Sequence, residues 1–140
     1  MKTSDRLENI LLEWKDAKVT DLIGKTLTSI QGKKGDDLIV FRAGENKDSG
    51  VTEWHMQHDQ DCCESVYVED IIGNLNDLIG SPIKMAEEVK NVNRKPLADG
   101  DGEAYEWTFY KFATVKGYVT IRWYGTSNGY YSTEVSFRKK

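Results

Sequence analysis

Apolar residues recur along this chain with two different periods. Near its start Leu7, Ile10, Leu11 and Trp14 fall at helical spacing and make one apolar stripe, with Thr3 or Ser4 placed to cap it. That pattern predicts a helix over residues 1–18, fading before the β-branched pair Val19-Thr20. Beyond it the pattern favours strands. Residues 25–31 and 37–42 read as a hairpin about Gly32-Lys33-Lys34-Gly35, and residues 51–57 and 65–72 as two further strands. Residues 82–92 carry both signals. Ser81-Pro82 before Ala86-Glu87-Glu88 suits a helix start, whereas Ile83, Met85 and Val89 suit one strand face; the strand is favoured. Residues 93–102 hold Pro96, Gly100 and Gly102 and read as a loop. Asp21-Leu22-Ile23-Gly24 returns as Asp77-Leu78-Ile79-Gly80, each a short helical turn stopped by glycine. The repeat records either a duplication or one local solution used twice; four residues favour the second.

The last forty residues are rich in aromatic and β-branched side chains, and predict strands at 105–114, 118–124 and 131–137. Three-residue loops at Val115-Lys116-Gly117 and Ser127-Asn128-Gly129 would pair Phe109 with Trp123 and Ile121 with Val135. This register turns Trp107, Phe109, Val119, Ile121, Trp123, Val135 and Phe137 to the core. The opposite face then carries Tyr110, Phe112, Tyr118 and Tyr124 around Arg122, with Glu134 directly across from Arg122. A slip of one residue would reverse the faces. The expected architecture is α+β: one domain over residues 1–140, its helical lead (1–18) packed on a mainly β body (19–140). That body is a curled antiparallel meander of about six or seven strands.

Charge and chemistry narrow the functional classes. The net charge of −4 argues against nucleic acid held mainly through its phosphates. No stretch approaches the ~20 apolar residues of a membrane span, and no apolar signal core follows Met1-Lys2-Thr3-Ser4-Asp5, so a cytoplasmic protein is expected. Cys62 and Cys63 are the only cysteines; a bond between neighbours closes almost no loop, so both read as thiols. With His58 they are weak candidates for a metal site, because no established zinc spacing is present. A Cys62 or Cys63 nucleophile with His58 as base is opposed by the surrounding carboxylates. The structural reading is favoured: a turn with small buried thiols, a hydrogen-bonded histidine and acidic caps. Glu69-Asp70 with Asp77 is interrupted by Ile71-Ile72 and lacks calcium-loop order. The sequence supplies no phosphate-binding glycine pattern, and no cofactor or catalytic residue is assigned.

His58-Asp59-Gln60-Asp61-Cys62-Cys63-Glu64, Val68-Glu69-Asp70-Ile71, Asp77-Leu78-Ile79-Gly80-Ser81-Pro82-Ile83, Trp107-Thr108-Phe109-Tyr110-Lys111 and the run from Arg122 to Ser132 together resemble a family of small phage and prophage proteins, a domain of unknown function. The resemblance implies a bacterial host cytoplasm and an accessory role, and imports no activity or site. The expected function is a non-catalytic protein that binds a host macromolecule or sequesters a small ligand, with counter-defence as one setting. Tyr110, Tyr118, Arg122, Tyr124 and Glu134 are the candidate binding residues. The alternative is a metal- or cysteine-dependent enzyme centred on His58–Glu64.

Overall fold

The computed structural model describes residues 14–44, 50–95 and 103–140. Its strands are β1 (Lys15–Asp16), β2 (Leu27–Gln31), β3 (Leu38–Ala43), β4 (Thr52–Gln57), β5 (Ser65–Ile72), β6 (Met85–Lys95), β7 (Glu103–Thr114), β8 (Gly117–Ser127) and β9 (Ser136–Lys139). They form two antiparallel sheets, ordered β1-β9-β4-β3-β2 and β5-β8-β7-β6. The sheets enclose one core, where Phe41 meets Phe112 at 5.8 Å and the Trp123 indole N–H donates to the Met56 sulfur at 3.1 Å.

This two-sheet architecture replaces the expected α+β fold and its single meander. Residues 1–13 of the expected helix lie outside the described residues. Within the described part, Lys15 and Asp16 are extended and pair with Lys139 and Arg138 of β9. Helical geometry among the described residues is confined to two 3-10 turns, Val19–Leu22 and Leu75–Leu78. Most of residues 82–92 fall on β6, as the strand reading has it, which begins at Met85 and extends to Lys95.

The two Asp-Leu-Ile-Gly copies close those two turns, and they lie against one another. Ile23 bridges Ile83 and Leu27 bridges Ile79, both in parallel. The bonds are reciprocal: Gly24 N–H donates to the Ile83 carbonyl at 2.7 Å, and Gly80 N–H to the Leu27 carbonyl at 2.9 Å. Positive φ at Gly24 and Gly80 ends each turn in the conformation glycine adopts most cheaply. Each copy opens the same succession. The first turn leads into β2, β3, β4 and β5; the second leads into β6, β7, β8 and β9. The fourth strand of each set crosses to the other sheet, so that β5 pairs with β8 and β9 with β4. Phe41 and Phe112 hold corresponding places, facing Ile30 on β2 and Ala86 on β6. The repeat thus marks two structurally matched units that exchange strands.

Strand exchange overturns the predicted final hairpin. β8 gives its free edge to β5, with Tyr67 opposite Tyr124 and Val68 opposite Trp123, and not to residues 131–137. Residues after Tyr131 instead cross over Gly125, so closely that a Cβ there would stand 2.9 Å from Thr133, and reach β4. The β7–β8 loop is also one residue shorter than predicted, because Thr114 pairs with Gly117. Contacts to the second turn hold it: the Thr114 hydroxyl donates to the Asp77 carbonyl, and the Lys116 ammonium to the Ile79 carbonyl at 2.6 Å. That slip pairs Phe109 with Arg122 and reverses the faces of β7. Tyr110 and Phe112, expected outside, are fully buried, whereas Trp107 and Phe109, expected in the core, are half-buried on the outward side.

Candidate functional site

Alternation on β7 and β8 builds the outward face of the four-stranded sheet. Glu106, Thr108, Tyr110 and Phe112 point inward with Val119, Ile121 and Trp123, leaving Tyr105, Trp107, Phe109, Arg122 and Tyr124 outside. Cross-strand register then aligns an aromatic row. Trp107 opposes Tyr124 with ring centroids 4.9 Å apart, and Tyr124 opposes Tyr67 edge-on at 6.3 Å. The neighbouring row runs Val89, Phe109, Arg122 and Asp70.

Arg122 is fixed within this face. A β-bulge in β5 places Glu69 between the paired residues Val68 and Asp70, so two successive carboxylates address one guanidinium. Arg122 Nε donates to Glu69 at 2.7 Å, and its Nη2 lies 3.8 Å from Asp70. The charge of Arg122 is therefore matched by carboxylates of its own sheet, which favours flat stacking over capture of an anion. Burial and then the Glu69 charge push the Tyr124 phenol up; a hydrogen bond to Glu103 does so at Tyr105, so both stay neutral at ordinary pH.

Of the five residues the sequence proposes, the structure keeps Arg122, Tyr124 and Tyr118 on this face. Tyr118 stands at its far end, 76% exposed. Tyr110 is interior, and Glu134 lies elsewhere, beside Lys90 at 3.4 Å, so the expected Arg122–Glu134 pair is replaced by Arg122–Glu69. Trp107, Phe109 and Tyr67 complete the face. Their strand pattern was visible, but membership depended on a loop length and a long-range pairing.

The segment from His58 to Glu64 is the second concentration of chemistry. The Glu64 carboxylate is buried and accepts from Asp61 N–H at 3.1 Å, Cys62 N–H at 2.8 Å, the Gln60 amide at 2.9 Å and His58 Nε2 at 2.9 Å. Burial alone would raise its pKa; the Cys62 N–H, the His58 ring and the Asp61 N–H outweigh that and lower it to about 2. His58 Nδ1 meets the Glu134 carbonyl at 2.6 Å, so both ring nitrogens face acceptors and neither is free to serve as a base. Cys62 and Cys63 are joined in a disulfide, correcting the expectation of two thiols. Among the described residues no three His, Cys, Asp or Glu side chains are grouped to hold a metal ion. The segment ties the β4–β5 turn to the crossing strand: the buried Glu64 carboxylate and His58 ring anchor an otherwise exposed turn, in which Cys62 and Cys63 are exposed and not buried as expected.

Among the described residues no helix is long and apolar enough to cross a membrane. No curated protein and no solved structure matches the chain. Its sequence matches the domain of unknown function DUF7448 over residues 20–137, from the first turn to the crossing strand, and the chain therefore belongs to the DUF7448 family.

Proposed function

We propose that this is a non-catalytic binding protein that engages a partner protein through the outward face of the β5-β8-β7-β6 sheet. The observation that carries the reading is the continuous aromatic surface of Tyr67, Tyr124, Trp107 and Phe109 around a fixed Arg122. Aromatic and arginine side chains dominate the binding energy of protein interfaces, and an apolar sheet face left open to water is costly unless something covers it. The surface is the outward face of a sheet, which favours a macromolecule over a sequestered small ligand. The motif resemblance supports a phage or prophage accessory protein acting in a bacterial host cytoplasm.

The test compares the two outward faces. The protein and two double variants, Trp107→Ala/Tyr124→Ala and Arg42→Ala/Glu53→Ala, are used to capture partners from a bacterial lysate. Loss of a specific partner in the first variant, with retention in the second, supports the proposal. Identical capture by all three would refute it.

A further inference from the structure

We infer that the outer edge of β6 is a self-association surface, along which a second copy of the chain pairs antiparallel and joins two four-stranded sheets into one. The other sheet edges are short or covered. At β2, Gly80 N–H donates to the Leu27 carbonyl and Ile83 N–H to the Lys25 carbonyl, both at 2.9 Å. At β5, Gly35 N–H donates to the Val68 carbonyl and Val68 N–H to the Asp36 carbonyl, both at 2.8 Å. β1 has two residues. The first turn covers only the approach to β6, where Gly24 N–H donates to the Ile83 carbonyl, and β6 then runs for eleven residues. Among the described residues, β7 alone makes backbone bonds to β6 between Ala86 and Asn93, and every residue from Glu87 to Asn93 is exposed.

The register fixes which backbone groups this edge offers. Thr114 and Gly117 flank a two-residue loop, so they exchange both their hydrogen bonds. Alternation from Thr114 directs the amides of Lys111 and Phe109 to β6, where they meet Glu87 and Val89. The N–H and C=O groups of Ala86, Glu88, Lys90 and Val92 are left pointing out along the open edge.

Charge on an edge strand ordinarily blocks pairing. On β6 the charges are ordered so that they fit a copy of the same strand. A two-fold axis at Val89 sets Val89 against its own copy, Glu88 against Lys90, Glu87 against Asn91 and Ala86 against Val92. The edge-directed residues then meet one another, and two Glu88–Lys90 pairs flank the axis. Moving the axis by one residue opposes Glu88 to Glu88 or Lys90 to Lys90. Moving it to Asn91 opposes Val89 to Asn93 and Val92 to Lys90, leaving both valines beside polar residues. The favoured register covers Val89 and Val92, which are 41% and 46% exposed in the single chain. Lys90 stands 3.4 Å from Glu88 of its own strand and keeps 36% of its side chain exposed, and an ammonium with three donors can serve the second copy's carboxylate as well.

Sedimentation equilibrium of the full chain should show a reversible dimer in the micromolar range. Glu88→Lys and Lys90→Glu each oppose like charges at both flanking pairs, and each should weaken self-association about tenfold or more. An equimolar mixture of these two variants should restore it, because every flanking pair is then of opposite sign; recovery also shows that each variant is folded. Val89→Cys should cross-link to its own copy on oxidation more readily than Asn91→Cys. Trp107→Ala/Tyr124→Ala, which alters the aromatic face and not the edge, should associate like the wild type. A monomeric wild type, unchanged association in either single variant, no recovery on mixing, preferential cross-linking of Asn91→Cys, or loss of the dimer in Trp107→Ala/Tyr124→Ala would overturn the pairing.

Discussion

Phe41 and Phe112 fill corresponding places in two units that share turn, strand order and crossing strand, yet the outward faces of those units are unlike. On the β9-β4-β3 face Arg42 pairs with Glu53 at 3.4 Å, Glu53 also takes the His55 ring at 2.9 Å, and Arg138 is held by Asp59. That surface is mainly charged and internally paired, with Trp14 packed on His55 at 4.1 Å as its aromatic group. The β5-β8-β7 face carries Tyr67, Trp107, Phe109 and Tyr124. Inward positions are constrained by a shared core, so both units keep large apolar groups there. Outward positions are free of that constraint, and under the proposed function the aromatic side chains of the second unit serve a partner.

The largest effects should come from the shared interior. Phe41→Ala and Phe112→Ala are each expected to cost about 3–5 kcal/mol in chemical denaturation, the usual loss for emptying a large aromatic site. Their double variant should cost less than the two combined, because the rings touch. Grossly unequal single costs would show that the units are not energetically matched.

A second effect separates the links that lead into the crossing strands. Glu64 closes the β4–β5 link with a carboxyl lowered from 4.5 to about 2. A lowered folded-state pKa contributes stability that is fully present above the unfolded value of 4.5 and is lost as pH falls toward 2. Thermal midpoints of the wild type should therefore drop over that interval, and Glu64→Gln, already destabilised at neutral pH, should show a flatter profile. Parallel profiles would remove Glu64 as the source of the acid sensitivity.

The outward aromatic face should matter less to stability. Tyr124→Ala is expected to cost roughly 1–2 kcal/mol, in keeping with partial burial. Trp123→Ala, whose side chain is 0% exposed, should cost about 3–5 kcal/mol. The reverse order in urea denaturation would contradict the observed alternation. Smallest of all, Arg122→Ala should change stability by at most ~1 kcal/mol, since its pairs with Glu69 and Asp70 are part-exposed.

Local pattern sufficed for the β2–β3 hairpin and for the existence of β4, β5, β7 and β8, because alternation and turn residues are near in sequence. It failed wherever the partner is distant. Asn128-Gly129 looks like a hairpin turn, and nothing nearby reveals that Tyr67 and Val68 already occupy the β8 edge. The one-residue slip at Val115–Gly117 was equally hidden, because Asp77 and Ile79, which hold that loop, lie far upstream. The chain did carry one trace of the architecture: the repeated Asp-Leu-Ile-Gly, whose copies prove to be mutual neighbours. Around Arg122, the aromatic composition was legible and the membership was not. Glu64 could be seen as a member of a turn, but a charged residue reads as exposed until its four donors are found.

Strand exchange also sets an order on biosynthesis. β8 emerges from the ribosome to find β5 already made, whereas β4 must wait for β9, the last of the described strands. Through most of translation β4 offers an unpaired backbone edge to any passing nascent chain. Glu53, His55 and Gln57, the polar residues alternating along β4 with buried Trp54 and Met56, make that waiting edge a poor template for aggregation.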